Sequence, residues 1–172
     1  PYSNTRSVVE LAIAEIIALT RRLTVRNSKL HRGVWEKSAA GSHEVRGRTL
    51  GIIGYGNIGT QLSVLAEALG MNVIFYDIAE RLALGNAKRV ATMDALLKQA
   101  DIVSLHVDGS PQNQWMFGKR EFELMKPGSL FINLSRGFVT NIDALVDALE
   151  SGHLAGAAVD VFPTEPKKTG DP

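Results

Sequence analysis

The stretch Gly54-Tyr55-Gly56-Asn57-Ile58-Gly59 constrains this chain more than any other. Before it runs Thr49-Leu50-Gly51-Ile52-Ile53, short and apolar, the pattern of a buried parallel strand. After it, Thr60 to Leu69 reads as a helix, with Gly70 as a C-cap. Asn72 to Tyr76 reads as a second strand, and Asp77 follows it, 18 residues after Gly59. The order is strand, glycine turn, helix, strand, acid. The first glycine permits a tight turn, the second lets backbone approach a pyrophosphate, and the third lets helix pack close on strand. The helix start offers free N–H groups and a positive dipole end to phosphates. The acid can accept from ribose hydroxyls. A methyltransferase-like fold also uses glycines and an acid here, but the close packing signalled by Gly59 favours a dinucleotide. A carboxylate repels a 2′-phosphate, so Asp77 argues for NAD over NADP, and the nearby Arg81 softens that preference.

The length of 172 residues suits one domain with a sizeable core. A net charge of +1 gives no sign of a nucleic-acid or anionic-membrane partner. Without cysteine there is no disulfide, thiolate metal site or Cys nucleophile, which fits a cytoplasmic location. The apolar run Val8 to Leu19 holds Glu10 and Glu15, is too short to span a bilayer and lacks a cleavage site. Ser3 to Leu23 reads as one helix, apolar on most faces, which another domain or subunit must cover. Residues 26–48 read as a polar connector. Trp35 within it is either an interface anchor or a side chain folded onto its own domain.

Strand–helix alternation continues after Asp77. Lys88 to Val90 and Asp101 to Val107 read as strands, with a helix capped by Thr92 between them. A short helix from Lys119 stops at Lys126-Pro127-Gly128, and Ser129 to Asn133 is the next strand. Asn141 caps a helix to Glu150, and Leu154 to Val159 is the last strand. This predicts an α/β fold, a doubly wound parallel sheet of the Rossmann dinucleotide-binding type. Ligand groups then belong at the C-terminal ends of strands, where Asp77, His106, Ser135, Arg136 and Asp160 fall. The fork of Arg136 can hold a carboxylate and a carbonyl oxygen bidentately; the plainer alternative is a surface salt bridge.

These segments carry a resemblance. His31-Arg32-Gly33-Val34-Trp35, Leu50 to Gly59, Met125 to Gly128, Asn133-Leu134-Ser135-Arg136-Gly137 and His153 to Pro166 are similar to the cofactor-binding domain of the D-isomer-specific 2-hydroxyacid dehydrogenases. Ser3 to Val8 matches that family's crossing helix. The resemblance implies NAD as cofactor, with Gly54, Gly56, Asn57, Ile58 and Gly59 at the pyrophosphate, Asp77 on the ribose, and His106 and Val107 on the adenosine side. It puts Leu134, Ser135, Arg136 and Asp160 around the nicotinamide. Arg136 then binds a 2-hydroxy or 2-oxo acid substrate, and Glu165 pairs with an acid/base histidine. The implied activity is hydride transfer from the 2-hydroxy carbon of 3-phosphoglycerate, the first step of serine biosynthesis. The alternatives are another D-2-hydroxy acid or a non-catalytic NAD(H)-sensing module of the corepressor kind. A homodimer or homotetramer formed through this domain is implied, with no metal, nucleic acid or membrane partner.

The sequence departs from the family pattern at Asp108, where proline is common, at Asn113 and Asn141, and at Leu134, where a small residue is usual and the larger side chain narrows the nicotinamide side. The family's catalytic histidine falls beyond Glu165. His106 is expected to line the cleft, His153 to tether a turn, and His31 and His43 to face solvent. Residues 1–25 are expected to form an interdomain or dimer helix, 26–48 a connector, 49–166 the NAD-binding domain and 167–172 the start of a crossover toward a substrate domain not in this sequence. A chain of this kind is expected to be a fragment that binds NAD without turning over substrate alone.

Overall fold

The computed structural model describes residues 4–167. Six strands form one parallel sheet: β1 (Thr49–Ile53), β2 (Asn72–Tyr76), β3 (Lys88–Arg89), β4 (Ile102–Leu105), β5 (Ser129–Asn133) and β6 (Leu154–Val159). Their spatial order is β3-β2-β1-β4-β5-β6. The order reverses between β1 and β4, and a doubly wound sheet opens its ligand crevice there. Each strand divides its side chains between two helical layers. Leu50 and Ile52 of β1, Val73 and Phe75 of β2, and Leu130 and Ile132 of β5 face α1 (Thr5–Thr20) and α3 (Asn57–Ala68). Ile53, Ile74, Val103 and Phe131 face α4 (Met93–Gln99), α5 (Lys119–Leu124) and α6 (Ile142–Glu150). On that second side Phe117, Phe122 and Phe131 pack ring against ring, with centroids 4.9–5.0 Å apart. Burial on both faces is why these strands read as apolar runs rather than as alternating patterns.

The expected helix caps are present. Thr92 Oγ1 accepts from Ala95 N at the start of α4, and Asn141 Oδ1 accepts from Ala144 N at the start of α6. Gly70, with φ +80°, closes α3.

The N-terminal segment differs from expectation. Ser3 lies outside the described residues, and the helix ends at Thr20 rather than Leu23. Arg22 adopts a left-handed conformation, φ +55°, which breaks the helix and starts α2 (Leu23–His31), which runs on into the stretch 26–48 read as connector. Helix α2 has no buried residue, so no apolar period announces it. It is held by cations spaced along one face. Arg22 donates to Ala40 O, Arg26 to Glu36 O and Ser38 O, and Lys29 to the Glu36 carboxylate. Helix α1, read as apolar on most faces, is covered along one of them by its own domain. Thr5, Val9, Ala12, Ile16 and Thr20 form a single buried stripe against α3, β5 and β6 of the same domain. Leu11 and Ile17 stay exposed on its other side. The expected crossover at 167–172 lies outside the described residues except for Lys167.

Candidate functional site

The loops at the C-terminal ends of the strands form a crevice over the β1/β4 reversal. On one side of it, Gly54, Gly56, Asp77, Ile78, His106 and Val107 line a cleft of about 250 Å³. The glycine turn explains its shape. Gly54 has φ +94°, and a Cβ there would meet His106 O at 2.5 Å, so the turn crosses directly over the end of β4. A Cβ on Gly59 would overlap Gly54 O, which lets α3 lie close against β1. At Gly56 the space a side chain would fill is empty. Gly56 is also the N-cap of α3, and no side chain caps that first turn. Open space, uncapped N–H groups and the positive end of a 12-residue helix fit a pyrophosphate.

Asp77 sits at the end of β2, 9% exposed. Its Oδ2 accepts from Tyr55 N at 2.8 Å, its Oδ1 from Ala79 N at 2.8 Å, and Arg81 Nε lies 3.3 Å from Oδ2. The carboxylate is thus fixed by the glycine turn itself. Its remaining acceptor capacity faces the cleft, where Arg81 also lies. Sequence reasoning gave Tyr55 no role. Its ring stacks on Phe75 at 3.7 Å, and its hydroxyl bonds Ser63 Oγ and accepts from Leu84 N. That tyrosine pins both α3 and the loop after Asp77 to the sheet.

His106 bonds Ser104 Oγ through Nε2 at 2.8 Å, while Nδ1 is buried without a partner. Burial pushes its pKa down to about 4, so the ring is neutral near pH 7. Beside it lies the exposed Asp108. Its carboxylate accepts from Ser110 N and Asn113 Nδ2, pinning the loop that walls the cleft, and those hydrogen bonds hold its pKa below the usual range.

Leu134, Ser135, Arg136, Asp160 and Glu165 lie at the ends of β5 and β6, outside the lining of that cleft. Leu134 is 7% exposed and belongs to the core between sheet, α1 and α3. Its side chain packs there with the core. Ser135 is buried and donates to Asn133 Oδ1. Arg136 is exposed, with Nη1 folded back 2.7 Å from Ser135 O. Asp160 is exposed; Glu15 of α1 has its pKa raised, first by burial and then by the Asp160 charge. Glu165 Oε1 accepts from Phe162 N and stiffens its own proline-flanked loop. His153 tethers a turn as expected, with Nε2 2.9 Å and 3.0 Å from Phe122 O and Met125 O at the end of α5. His31 and His43 are exposed. Among the described residues there is no cluster of three His, Cys, Asp or Glu able to hold a metal, and no helix is long and apolar enough to cross a membrane.

Comparison with known proteins places this geometry. Residues 13–172 match the model of the D-isomer specific 2-hydroxyacid dehydrogenase NAD-binding domain. D-3-phosphoglycerate dehydrogenase of Escherichia coli K12 is 60% identical over all 172 residues, which cover 42% of that protein. D-3-phosphoglycerate dehydrogenase 1 of Saccharomyces cerevisiae is 53% identical over 171 residues, 99% of this chain and 36% of that one. The chain therefore spans less than half the length of these relatives. Among solved structures, NAD-dependent formate dehydrogenase from Staphylococcus aureus in complex with NAD superposes with TM-score 0.91 at 32% identity, covering 98% of this chain and 51% of that one. The NAD-complexed D-isomer specific 2-hydroxyacid dehydrogenase from Lactobacillus delbrueckii gives 0.91 at 29% identity, covering 100% and 54%. The chain belongs to the D-isomer specific 2-hydroxyacid dehydrogenase family, as its NAD-binding domain.

Proposed function

We propose that this chain is the cofactor-binding part of an NAD-dependent dehydrogenase that oxidises 3-phosphoglycerate at its 2-hydroxy carbon. One observation carries the substrate: the 60% identity to the Escherichia coli phosphoglycerate dehydrogenase extends over all 172 residues. The activity is that of a longer protein. The bound cofactor supplies a hydride acceptor, and the residues of this chain bind it and orient the substrate toward it. In this reading the first turn of α3, through Asn57, Ile58 and Gly59, meets the pyrophosphate, with Gly54 and Gly56 making room for it. Asp77 accepts from the ribose, and His106 and Val107 wall the adenosine. Leu134, Ser135 and Asp160 border the nicotinamide, Leu134 through its backbone.

Arg136 holds the carboxylate and the 2-oxygen of the acid in its fork. Glu165 orients an acid/base histidine and raises its basicity. That histidine is supplied from outside these 172 residues. His106 is half-buried and bonded to Ser104, His153 is bound to carbonyls of α5, and His31 and His43 lie on the far N-terminal segment.

The same reading gives the N-terminal segment an assembly role. Helix α2 and the arm after it form one braced unit, and Leu23, Leu30, Val34 and Trp35 stand 54–75% exposed on it. Such a patch suits a second copy in a homodimer or homotetramer. A cytoplasmic location and a place as the first step of serine biosynthesis are proposed on the similarity to the phosphoglycerate dehydrogenases.

Calorimetric titration of this chain with NAD+ and NADP+, beside Asp77→Ala, tests the cofactor half. Steady-state assay of the full-length enzyme on 3-phosphoglycerate against D-lactate and D-glycerate tests the substrate half. Preference for an unphosphorylated acid would replace phosphoglycerate by another member of the class. Sedimentation as a monomer at micromolar concentration would remove the assembly role.

A further inference from the structure

We propose that Asn133 is the positioning residue for Arg136, a proposal that rests on Arg136 holding the acid substrate. Asn133 is the last residue of β5 and is fully buried. Its amide uses its whole hydrogen-bonding capacity on the turn that follows. Oδ1 accepts from Ser135 N at 3.0 Å and from Ser135 Oγ at 2.7 Å. Nδ2 donates to Arg136 O at 3.2 Å and to Thr140 Oγ1 at 3.1 Å. One side chain therefore fixes the backbone on both sides of the Arg136 Cα and ties it to the segment that enters α6.

The main chain of Asn133 extends the link. Its carbonyl accepts from Asp160 N at 3.2 Å, where the loop toward Glu165 leaves the sheet. That loop returns across the turn, because a Cβ on Gly137 would overlap the Phe162 carbonyl. Arg136 is exposed and has no ion pair among the described residues; its guanidinium bonds only the Ser135 carbonyl of the same turn, so the backbone of that turn sets where it starts. A long cationic side chain on a loosely held turn spends binding energy on ordering itself. The Asn133 amide removes that cost before substrate arrives, and it does so from beneath the turn, without touching substrate.

The amide is needed for this, not merely a buried polar group of that size. Aspartate at 133 keeps the volume and the acceptor oxygen for both Ser135 donors, but turns an oxygen toward Arg136 O, where a donor is required.

The test uses the full-length enzyme with Asn133→Asp, Arg136→Ala and the double variant. Acting through Arg136, Asn133→Asp lowers kcat/KM for the acid by about 10- to 100-fold while the Kd for NAD+ stays within about threefold. In the Arg136→Ala background the same change costs less than about twofold. Equal losses in both backgrounds, or an unchanged kcat/KM in the single variant, overturn the proposal. If Arg136→Ala alone leaves turnover intact, the substrate role of Arg136 fails instead, and with it the basis of the proposal. Should Asn133→Asp not fold, Thr140→Val removes one partner of Nδ2 and is read against the same cycle: a smaller loss in kcat/KM, absent in the Arg136→Ala background, supports the proposal, and an additive loss overturns it.

Discussion

The two sides of the crevice are built by different means. The side proposed for the adenosine is internally fixed: the Asp77 carboxylate is held by backbone N–H groups of Tyr55 and Ala79, and the half-buried His106 is bonded to Ser104. The other side presents its chemistry at the ends of exposed loops, with Arg136, Asp160 and Glu165 all open. Its order lies below the surface, in Asn133 and Gly137. The difference teaches a division of labour. On the proposed roles, the cofactor half is already made and is expected to bind without help, while the substrate half offers charges from a braced base.

The sharpest way to break this comparison is to cut the two sides separately. Arg136→Ala in the full-length enzyme is expected to lower kcat/KM by about 10²–10³-fold, the scale on which losing one preorganised charge-stabilising donor is felt. The affinity of this chain for NAD+ should change by less than about threefold. A comparable loss of NAD+ affinity would show that the sides are not independent.

Two glycine substitutions probe the cofactor side by contrast. Gly59→Val drives a branched side chain into the Gly54 carbonyl and is expected to cost about 1–3 kcal/mol of stability, a fall in Tm of several degrees. Gly56→Ala meets open space, so Tm should stay within about 2 °C of the parent. Its methyl occupies the space assigned to pyrophosphate, and NAD+ affinity should fall about tenfold or more. Thermal melts and calorimetry on the same pair separate packing from binding. A Gly56→Ala protein that binds normally would move the phosphates off this turn.

How much of this was legible in the sequence follows the same division. Elements whose signal is local could be read: β1, the glycine turn, α3 and β2 came from apolar runs and glycines, and Thr92 and Asn141 announced their helices by capping chemistry. What escaped depends on long-range partners. Helix α2 buries nothing and is held by guanidinium bonds to carbonyls 10 to 18 residues on. The burial of Leu134 in the core beside α1 and α3 likewise needs elements distant in the chain. Asn133 could be quoted as a motif letter, but its role needs the positions of Ser135, Arg136 and Thr140 together. Asp77 was placed from the sequence, but not the fact that Tyr55 N and Ala79 N hold it.

That clamp makes Asp77→Ala a test of preorganisation as well as of recognition. The variant loses the acceptor for the ribose and leaves the Tyr55 and Ala79 N–H groups without partners. NAD+ affinity should fall about tenfold or more, near 1.4 kcal/mol. The preference for NAD+ over NADP+ should shrink, because Arg81 then stands without its carboxylate. If calorimetry gives an unchanged ratio between the two cofactors, discrimination comes from elsewhere on this side.

The smallest expected effect concerns pH, and it asks whether the adenosine side is as closed as its hydrogen bonds imply. Burial holds the folded pKa of His106 near 4, against an ordinary value of 6.5. Between those values the unfolded chain takes up a proton at this histidine and the folded chain does not, so its share of stability falls as pH drops from 6.5 toward 4. Above 6.5 both states carry neutral imidazole and the contribution is flat. His106→Gln keeps a polar group near Ser104 but cannot titrate. Urea midpoints at pH 7.5, 6.0 and 4.5 should therefore fall less steeply for the variant, and the gap between the two proteins should narrow toward acid. Parallel curves would mean that His106 takes its proton within the folded cleft, and the adenosine side would then be as open to water as the loop that carries Arg136.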